Sequence, residues 1–307
     1  MPHRTQLQVI KRRLVGKEGT ERIRELRAIL ADLPNYRNGP YADIRKWVNE
    51  QIDATHVRGR VVHRDSLAVR REGAAQIALV GPPNAGKSSL LQALSAIRIK
   101  TGDYAFTTTR PAPALTRIGG VLVQLVEIPG LIAGASEGRG GGRALLGVVR
   151  NADGIVLCHA AGEPPAELDV VRAELAAAAI ELPTVLAATR LDEAPPHALE
   201  HLAAAYAELE VVGVSVLDDA SLDAFREAAW RLTGLVRIHL RHGGDVDDEP
   251  VALRPPVTVA RVAGTIHHEL ETTCRGARVW GPSAQFEGQR VGRAHELVDG
   301  DAVEILV

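Results

Sequence analysis

The sequence predicts an α/β fold whose mostly parallel sheet has helices on both faces, preceded by a small helical region and followed by a small α+β unit. From Gln76 onward, short apolar runs alternate with longer Ala- and Leu-rich segments, which is typical of buried parallel strands and crossover helices. Before that point, residues 20–33 repeat apolar side chains at helical spacing. After Gly234 the apolar runs are short and close together. We therefore expect three domains, at 1–73, 74–234 and 235–307.

The N-terminal region is predicted to form a basic helical hairpin. Thr20 is the expected N-cap of its first helix and Pro34 ends that helix, while a second helix is expected over 41–52. The region carries 16 Lys/Arg against 9 Asp/Glu, a net charge of +7. Its Arg and Glu residues are interleaved, so a solvated helix surface and contact with RNA phosphates both remain open.

The two following regions are acidic and show different patterns. Residues 74–234 have a net charge of −6 and residues 235–307 one of −3. The strand candidates of the first are QIALVG, VLVQLVE, GIVLCH, PTVLAA and VVGVSV, and those of the second are VRIHLR, PVTVARV, ARVWG and DAVEILV. In the second we also expect a helix near 266–271 and a polar surface loop over 245–250. Trp280 and Phe286 are expected to form its small core rather than a base-stacking platform.

The sequence gives no sign of a membrane protein or of a Cys- or His-based metal site. No run of about 18 uncharged apolar residues occurs, and the first residues lack the apolar core of a signal peptide, so we expect a cytoplasmic protein. Cys158 and Cys274 match no metal-binding spacing and are expected to be buried apolar side chains. His267 and His268 are adjacent and point in different directions on a helix, which favours a surface role.

The strongest functional motif is GPPNAGKS, residues Gly81 to Ser88, which fits the pattern G-x-x-x-x-G-K-[ST]. It follows a strand candidate and leads into a helical pattern, the context that a phosphate-binding loop requires. Gly81 and Gly86 permit close approach of backbone N–H groups to phosphates at a helix N-terminus. Lys87 is predicted to bind the β- and γ-phosphates, and the Ser88 hydroxyl to be a ligand of Mg²⁺.

A second motif, E-I-P-G, ends the strand candidate VLVQLVE. Glu127 and Gly130 stand where a phosphate-binding-loop protein needs a carboxylate near Mg²⁺ and a glycine N–H that senses the γ-phosphate. Leu131 follows, at the position where Ras-like GTPases have a water-orienting glutamine. We therefore expect the bound nucleoside triphosphate to be hydrolysed slowly by the protein alone.

Together these motifs resemble a known family. GPPNAGKSSLL, DYAFTTTRP at 103–111 and EIPGLIAGASEGRGGG at 127–142 are similar to the signature of the Obg-related, translation-factor class of GTPases, and most of all to the developmentally regulated GTP-binding proteins. Residues 277–306 resemble the TGS domain that ends those proteins. A weaker resemblance, to the N-terminal region of those proteins, covers residues 33–48, LPNYRNGPYADIRKWV. The resemblance covers 76–307 well and the first 75 residues loosely.

The resemblance implies a G domain, a ubiquitin-like TGS domain, GTP or GDP with Mg²⁺ as ligands, and the ribosome or RNA as partner, with a protein regulator and no membrane. Thr108 matches the switch threonine that joins Ser88 on Mg²⁺, and Glu127 matches an aspartate that acts on Mg²⁺ through water. Asn84 matches an asparagine that holds K⁺ in related GTPases, with a plain turn as the alternative. The catalytic residues implied are Asn84, Lys87, Thr108 and Gly130.

The same resemblance assigns base recognition. Asp192 matches the aspartate of the N-K-x-D motif, which pairs with the N1–H and amino group of guanine, and Ser215 begins the loop that covers the guanine carbonyl. The nucleotide-binding residues expected are Gly81, Pro82, Pro83, Asn84, Ala85, Gly86, Lys87, Ser88, Ser89, Thr189, Arg190, Asp192, Ser215 and Val216.

Three departures from the family pattern stand out. Glu127 replaces an aspartate, Thr189 and Arg190 replace the Asn and Lys of N-K-x-D, and only about 60 residues separate Gly130 from Asp192, too few for the extra domain that eukaryotic and archaeal members carry there. Two alternatives to a slow GTPase switch therefore stay open: a nucleotide-dependent RNA-binding or regulatory module with little hydrolysis, and an ATPase. Asp192 argues against the ATPase. Its carboxylate accepts hydrogen bonds from the two donors of guanine, whereas adenine has an acceptor at N1.

Overall fold

A computed structural model describes residues 9–11, 13–14, 17, 19–34, 40–59, 67, 69–95 and 110–307. The chain forms two compact units, residues 1–66 and 67–307. Among the residues described, no helix has the length and apolar character needed to cross a membrane. Both cysteines are free and buried, as the sequence predicts.

The first unit contains the predicted helical hairpin. Helix α1 spans Gly19–Asp32 and helix α2 spans Pro40–Gly59, so the second helix is longer than the sequence indicated. Apolar side chains from both helices, including Leu26 and Val48, form its own core. Several of its charges bind within the unit: Arg45 donates to two carbonyls at the end of α1, and Glu25 pairs with two basic side chains. These contacts favour a structural role for part of the basic surface.

The second unit begins with a mixed six-stranded sheet and the helices that cover it. Its strands are β1 Ala75–Val80, β2 Ala112–Ile118, β3 Val121–Glu127, β4 Gly154–Ala160, β5 Thr184–Thr189 and β6 Glu210–Gly213. Its helices are α3 Lys87–Leu94, α4 Gly142–Arg150, α5 Ala166–Ala177, α6 Ala198–Ala205 and α7 Asp219–Leu232. Two single 3₁₀ turns lie at Arg139–Gly141 and Leu191–Glu193.

The sheet has the order β2-β3-β1-β4-β5-β6, and β2 alone runs antiparallel to its neighbour. Alternate residues of the central strands feed two apolar clusters on opposite faces, which confirms the predicted layers. One cluster includes Leu90 of α3 and Phe225 of α7, and the other includes Leu146 of α4 and Leu168 of α5. Because β1, β4, β5 and β6 are parallel, the loops after them meet at one edge of the sheet.

The C-terminal part of this unit has a second sheet with its own apolar core. This sheet contains β7 Val236–His242, β8 Asp245–Val246, β9 Val251–Leu253, β11 Gly276–Trp280, β12 Gln289–Val291 and β14 Asp301–Leu306. Strands β10 Val257–Thr258 and β13 Glu296–Leu297 pair with each other in a separate two-stranded sheet. The helices of this part are α8 Val259–Ile266 and the short α9 Leu270–Thr273.

Two details of this part were predicted wrongly, and a third was correct only in part. The main helix is α8, which begins seven residues earlier than the helix expected near 266–271 and takes over most of the strand candidate PVTVARV. Thr258 causes this, because its side chain accepts a hydrogen bond from Arg261 N and caps the helix. The predicted surface loop over 245–250 is exposed but begins with β8. Phe286 is 65% exposed and is no core residue, whereas Trp280 is half-buried beneath the Arg241 guanidinium.

The first sheet of the second unit and its helices are joined to the C-terminal part of that unit by a network of polar contacts. Asp299 accepts hydrogen bonds from the backbone and guanidinium of Arg237 and from the indole of Trp230 on α7. Desolvation, the largest single influence, raises the pKa of Asp299, but the hydrogen bonds from Arg237 outweigh it and hold the pKa below its ordinary value. The turn between β2 and β3 also contacts this part, since a side chain on Gly120 would meet Pro250.

Candidate functional site

The loop from Gly81 to Gly86 links β1 to α3 in the predicted strand–loop–helix arrangement. A Cβ on Gly81 would lie 2.3 Å from the carbonyl oxygen of Cys158, so only glycine fits there. Gly86 has φ 75° and Asn84 has φ 60°, both in the left-handed region that glycine and asparagine tolerate best. Asn84 thus has a clear role in the turn, and its side chain is exposed. Ser89 follows on the exposed side of the first turn of α3.

Lys87 is held inside this loop. Its ammonium is buried and donates hydrogen bonds to the carbonyls of Gly81, at 3.0 Å, and Pro82, at 2.7 Å. Burial lowers the pKa of Lys87, although the nearby Glu127 carboxylate opposes that effect. A buried cation next to backbone carbonyls at a helix N-terminus is suited to receive an anionic group such as a phosphate chain.

The two Mg²⁺ ligands predicted in the described residues lie together. The Ser88 hydroxyl donates a hydrogen bond of 2.5 Å to Oε1 of Glu127, which is buried at the end of β3. A hydroxyl and a carboxylate oxygen are ligands that Mg²⁺ prefers, so the donor set fits this ion. Among the described residues, no three or more His, Cys, Asp or Glu side chains lie close enough together to hold a metal. His267 and His268 therefore belong to no such group.

Gly130 lies against the phosphate-binding loop. A Cβ on Gly130 would lie 2.9 Å from the backbone nitrogen of Pro83, so the two segments touch at a position where only glycine fits. Leu131 is buried among apolar side chains beneath the loop and cannot present a group to water. The switch threonine predicted at Thr108 lies outside the described residues.

Thr189 connects the predicted base-binding segment to the phosphate-binding loop. Its buried hydroxyl lies 2.9 Å from the carbonyl oxygen of Ala85 and 3.2 Å from that of His159. Asp192 follows on an exposed turn, with its carboxylate accessible. Arg190 has φ 54° and its guanidinium binds Glu193 in the same turn, so it is directed along the turn.

Ser215 begins the neighbouring loop, after β6. Its side chain accepts a hydrogen bond of 3.1 Å from the backbone N–H of Leu217, while the Ser221 hydroxyl donates to its carbonyl. Both interactions fix the backbone on either side of Val216, whose side chain is 43% exposed. Leu191 N donates to Val214 O, which joins this loop to the turn that carries Asp192. The structure therefore brings the predicted phosphate and base residues to one edge of the sheet.

Sequence reasoning missed Glu174, in the last turn of α5. Its Oε1 accepts a hydrogen bond of 2.6 Å from Gly134 N and its Oε2 one of 2.7 Å from Ser136 N. The side-chain and backbone hydrogen bonds of Ser136, and then that of Gly134, hold the pKa of Glu174 below its ordinary value. No local pattern could have revealed this contact, because about forty residues separate Glu174 from Gly134 and Ser136.

Comparison with known proteins adds the class of ligand. Residues 76–190 match the family described as 50S ribosome-binding GTPase, and residues 236–307 match the TGS domain. This chain is a GTP-binding protein of the GTPase family with a C-terminal TGS domain. The GTPase match begins at β1 and ends just after β5, and the TGS match begins at β7 and continues to the last residue of the sequence.

Relatives of this GTPase-family protein confirm the resemblance to developmentally regulated GTP-binding proteins. It is 25% identical to developmentally-regulated G-protein 2 of Arabidopsis thaliana over 363 residues, which cover 93% of this chain and 90% of the relative. It is 28% identical to an uncharacterized GTP-binding protein of Halobacterium salinarum, with 78% and 85% covered. It is 26% identical to ribosome-interacting GTPase 1 of Saccharomyces cerevisiae, with 78% and 84% covered.

Proposed function

We propose that this chain is a slow GTPase that works as a molecular switch and hydrolyses GTP to GDP and phosphate. The observation that carries the proposal is the meeting of a buried Lys87, the Ser88–Glu127 pair and Gly130 around one loop. Each supplies one requirement of phosphoryl transfer: a cation for the phosphates, ligands for Mg²⁺, and a backbone N–H near the γ-phosphate.

In this proposal Ser88, Thr108 and, through water, Glu127 hold Mg²⁺. The ion would neutralise charge on the phosphate oxygens. Backbone N–H groups from Gly86 to Ser89 and the Lys87 ammonium bind the phosphates. Water attacks the γ-phosphorus in line, the bond to the β–γ bridging oxygen breaks, and GDP leaves with that electron pair, while the proton that the water loses ends on the released phosphate. The buried Leu131 orients no water, so intrinsic turnover is slow.

Guanine recognition rests on Asp192. Its exposed carboxylate accepts the N1–H and amino group of guanine, while the loop from Ser215 to Val216 covers the guanine carbonyl and Thr189 holds the base-binding segment to the phosphate-binding loop. GTP, GDP and ATP affinities of Asp192→Asn test this role. We expect GTP and GDP binding to weaken and ATP binding to stay weak. Glu200→Gln, an exposed carboxylate on α6 that pairs with His197, is the control, and an unchanged guanine preference in Asp192→Asn refutes the assignment.

Potassium is the proposed second cation, held by Asn84 as a substitute for the charge of an arginine finger. Hydrolysis should then be faster in K⁺ than in Na⁺ at matched ionic strength, and Asn84→Gly, which keeps the left-handed turn, should remove the difference. Equal rates of the wild-type protein in the two salts rule out this role and leave Asn84 as a turn residue.

The proposed partner is the ribosome or its RNA in the cytoplasm, supported by the name of the yeast relative and the +7 charge of the N-terminal region. Co-sedimentation with ribosomes should be stronger with a GTP analogue than with GDP, and should weaken as salt rises. Binding without nucleotide dependence at any salt concentration contradicts a switch. A single-turnover assay with ribosomes that releases no phosphate would instead support a non-hydrolysing regulatory module.

A further inference from the structure

We propose that Glu174 is a positioning residue that holds the segment after Gly130 in place and thereby sets how strongly the protein distinguishes GTP from GDP. The inference deepens the proposed function, because it assumes that Gly130 senses the γ-phosphate. Glu174 lies on a different element, α5, and has no part in the sequence motifs that predict the site.

The contact is a two-pronged clamp. One carboxylate oxygen of Glu174 accepts from Gly134 N and the other from Ser136 N, so the side chain fixes two peptide groups of the same turn. Hydrogen bonds to a carboxylate are about twice as strong as those between neutral groups. Only an ionised carboxylate can accept both bonds, and these bonds in turn favour the ionised form and lower the pKa of Glu174.

The clamped segment requires such an anchor. Between residues 134 and 142 the sequence GASEGRGGG contains five glycines, and a glycine-rich backbone loses more conformational entropy on ordering than any other. Buried Leu131 and Ala135 attach the segment to the apolar cluster beneath it. Those contacts fix side chains on one face, whereas Glu174 fixes backbone N–H groups and thus the path of the chain.

The anchor stands on a rigid support. Leu168, Val171 and Leu175 of α5 are buried in the same apolar cluster that receives Leu131 and Ala135, so the helix and the segment share one packed face of the sheet. Gly130, four residues before the first clamped amide, touches the phosphate-binding loop at Pro83. Release of the clamp therefore lets the segment move away from that loop.

The test compares Glu174→Gln and Glu174→Ala with the matched control Glu167→Gln on the same helix. Hydrogen exchange without nucleotide measures the clamp directly: amides over 131–138 should exchange faster in both Glu174 variants, while the amides of α5 keep wild-type rates. We expect GTP-analogue affinity to fall about tenfold and GDP affinity to stay within about twofold, because only GTP has the γ-phosphate that Gly130 contacts, so only its binding must order the loosened segment. Glu174→Gln should lose less than Glu174→Ala, since its amide oxygen still accepts one bond.

Two results overturn the proposal. One is unchanged exchange over 131–138 in Glu174→Ala. The other is an equal loss of GTP-analogue and GDP affinity, which would show that Glu174 only supports the fold. Failure of the proposed function gives a different result: a wild-type protein that binds no guanine nucleotide refutes that function, while the nucleotide-free exchange measurement still decides whether Glu174 holds the segment.

Discussion

Replacing Thr189 by valine should weaken both guanine-nucleotide binding and the fold, by similar amounts of free energy. The hydroxyl of Thr189 is buried and bridges the base-binding segment to the phosphate-binding loop, with Ala85 O at 2.9 Å and His159 O at 3.2 Å. Valine has nearly the same shape, so the substitution removes the hydroxyl and little else.

The magnitude follows from the hydrogen bond lost. One hydroxyl hydrogen can serve one of the two carbonyls well at a time, and a buried hydrogen bond contributes about 1 kcal/mol net, with up to ~2 kcal/mol when a buried acceptor is left without a partner. We therefore expect the free energy of unfolding to fall by about 1–2 kcal/mol. If the link holds the two loops in register, a similar amount is lost from GTP and GDP binding, which is roughly a tenfold weaker affinity.

A matched control lies on the same strand. Thr184, at the first residue of β5, donates a 2.8 Å hydrogen bond to the carbonyl of Leu182 at the opposite edge of the sheet from the site. Thr184→Val should lower stability by a comparable or smaller amount and leave nucleotide affinity unchanged. Chemical denaturation and titration with a fluorescent GDP measure both quantities. Wild-type affinity in Thr189→Val, with lowered stability, refutes the linking role.

Three further changes test two other residues of the site and the polar network around Asp299. Gly130→Ala should lower GTP-analogue affinity about tenfold. The added methyl group would lie 2.9 Å from Pro83 N, so either the phosphate-binding loop or the segment after Gly130 must move. Asp299→Asn should lower the free energy of unfolding by about 1–2 kcal/mol, since it weakens a half-exposed network around Arg237, and the loss should vanish as pH falls through the depressed pKa of Asp299. Lys87→Met should abolish phosphate binding, and the nucleotide-free wild type should gain stability relative to it as pH rises towards 10.5, because the unfolded lysine then binds more protons than the folded one.

Contrary results are equally definite for these three. Gly147→Ala, in α4 with open space around the added methyl group, is the control for Gly130→Ala and should keep wild-type affinity. An equally mild effect of both substitutions refutes the close contact. A stability loss in Asp299→Asn that persists unchanged at low pH removes the ionic explanation, and a stability difference in Lys87→Met that is constant up to pH 10.5 contradicts the burial of a charged ammonium.

Much of the fold and the phosphate site could be predicted from the sequence because their signals are local. The pattern of short apolar runs separated by helical segments reports burial on both faces of a sheet, and the residues from Gly81 to Ser88 must be contiguous to wrap one phosphate chain. The helix of the TGS domain was misplaced because its local composition is that of a strand. PVTVARV has the β-branched composition of a strand, but the cap provided by Thr258 and burial of Val259 and Val262 make most of it helical.

By itself, the sequence determined that this chain has a phosphate-binding loop at the end of a buried strand, a carboxylate and glycine after another strand, and the turn that carries Asp192. Only the tertiary structure decided how those parts are joined: the hydroxyl of Thr189 on Ala85, the clamp of Glu174 on Gly134, and the exposure of Phe286. The physical reason is distance along the chain. A hydrogen bond between residues separated by 104 or 40 positions leaves no periodic or compositional trace, and it exists only once the packed sheet and helices have brought its two atoms within reach.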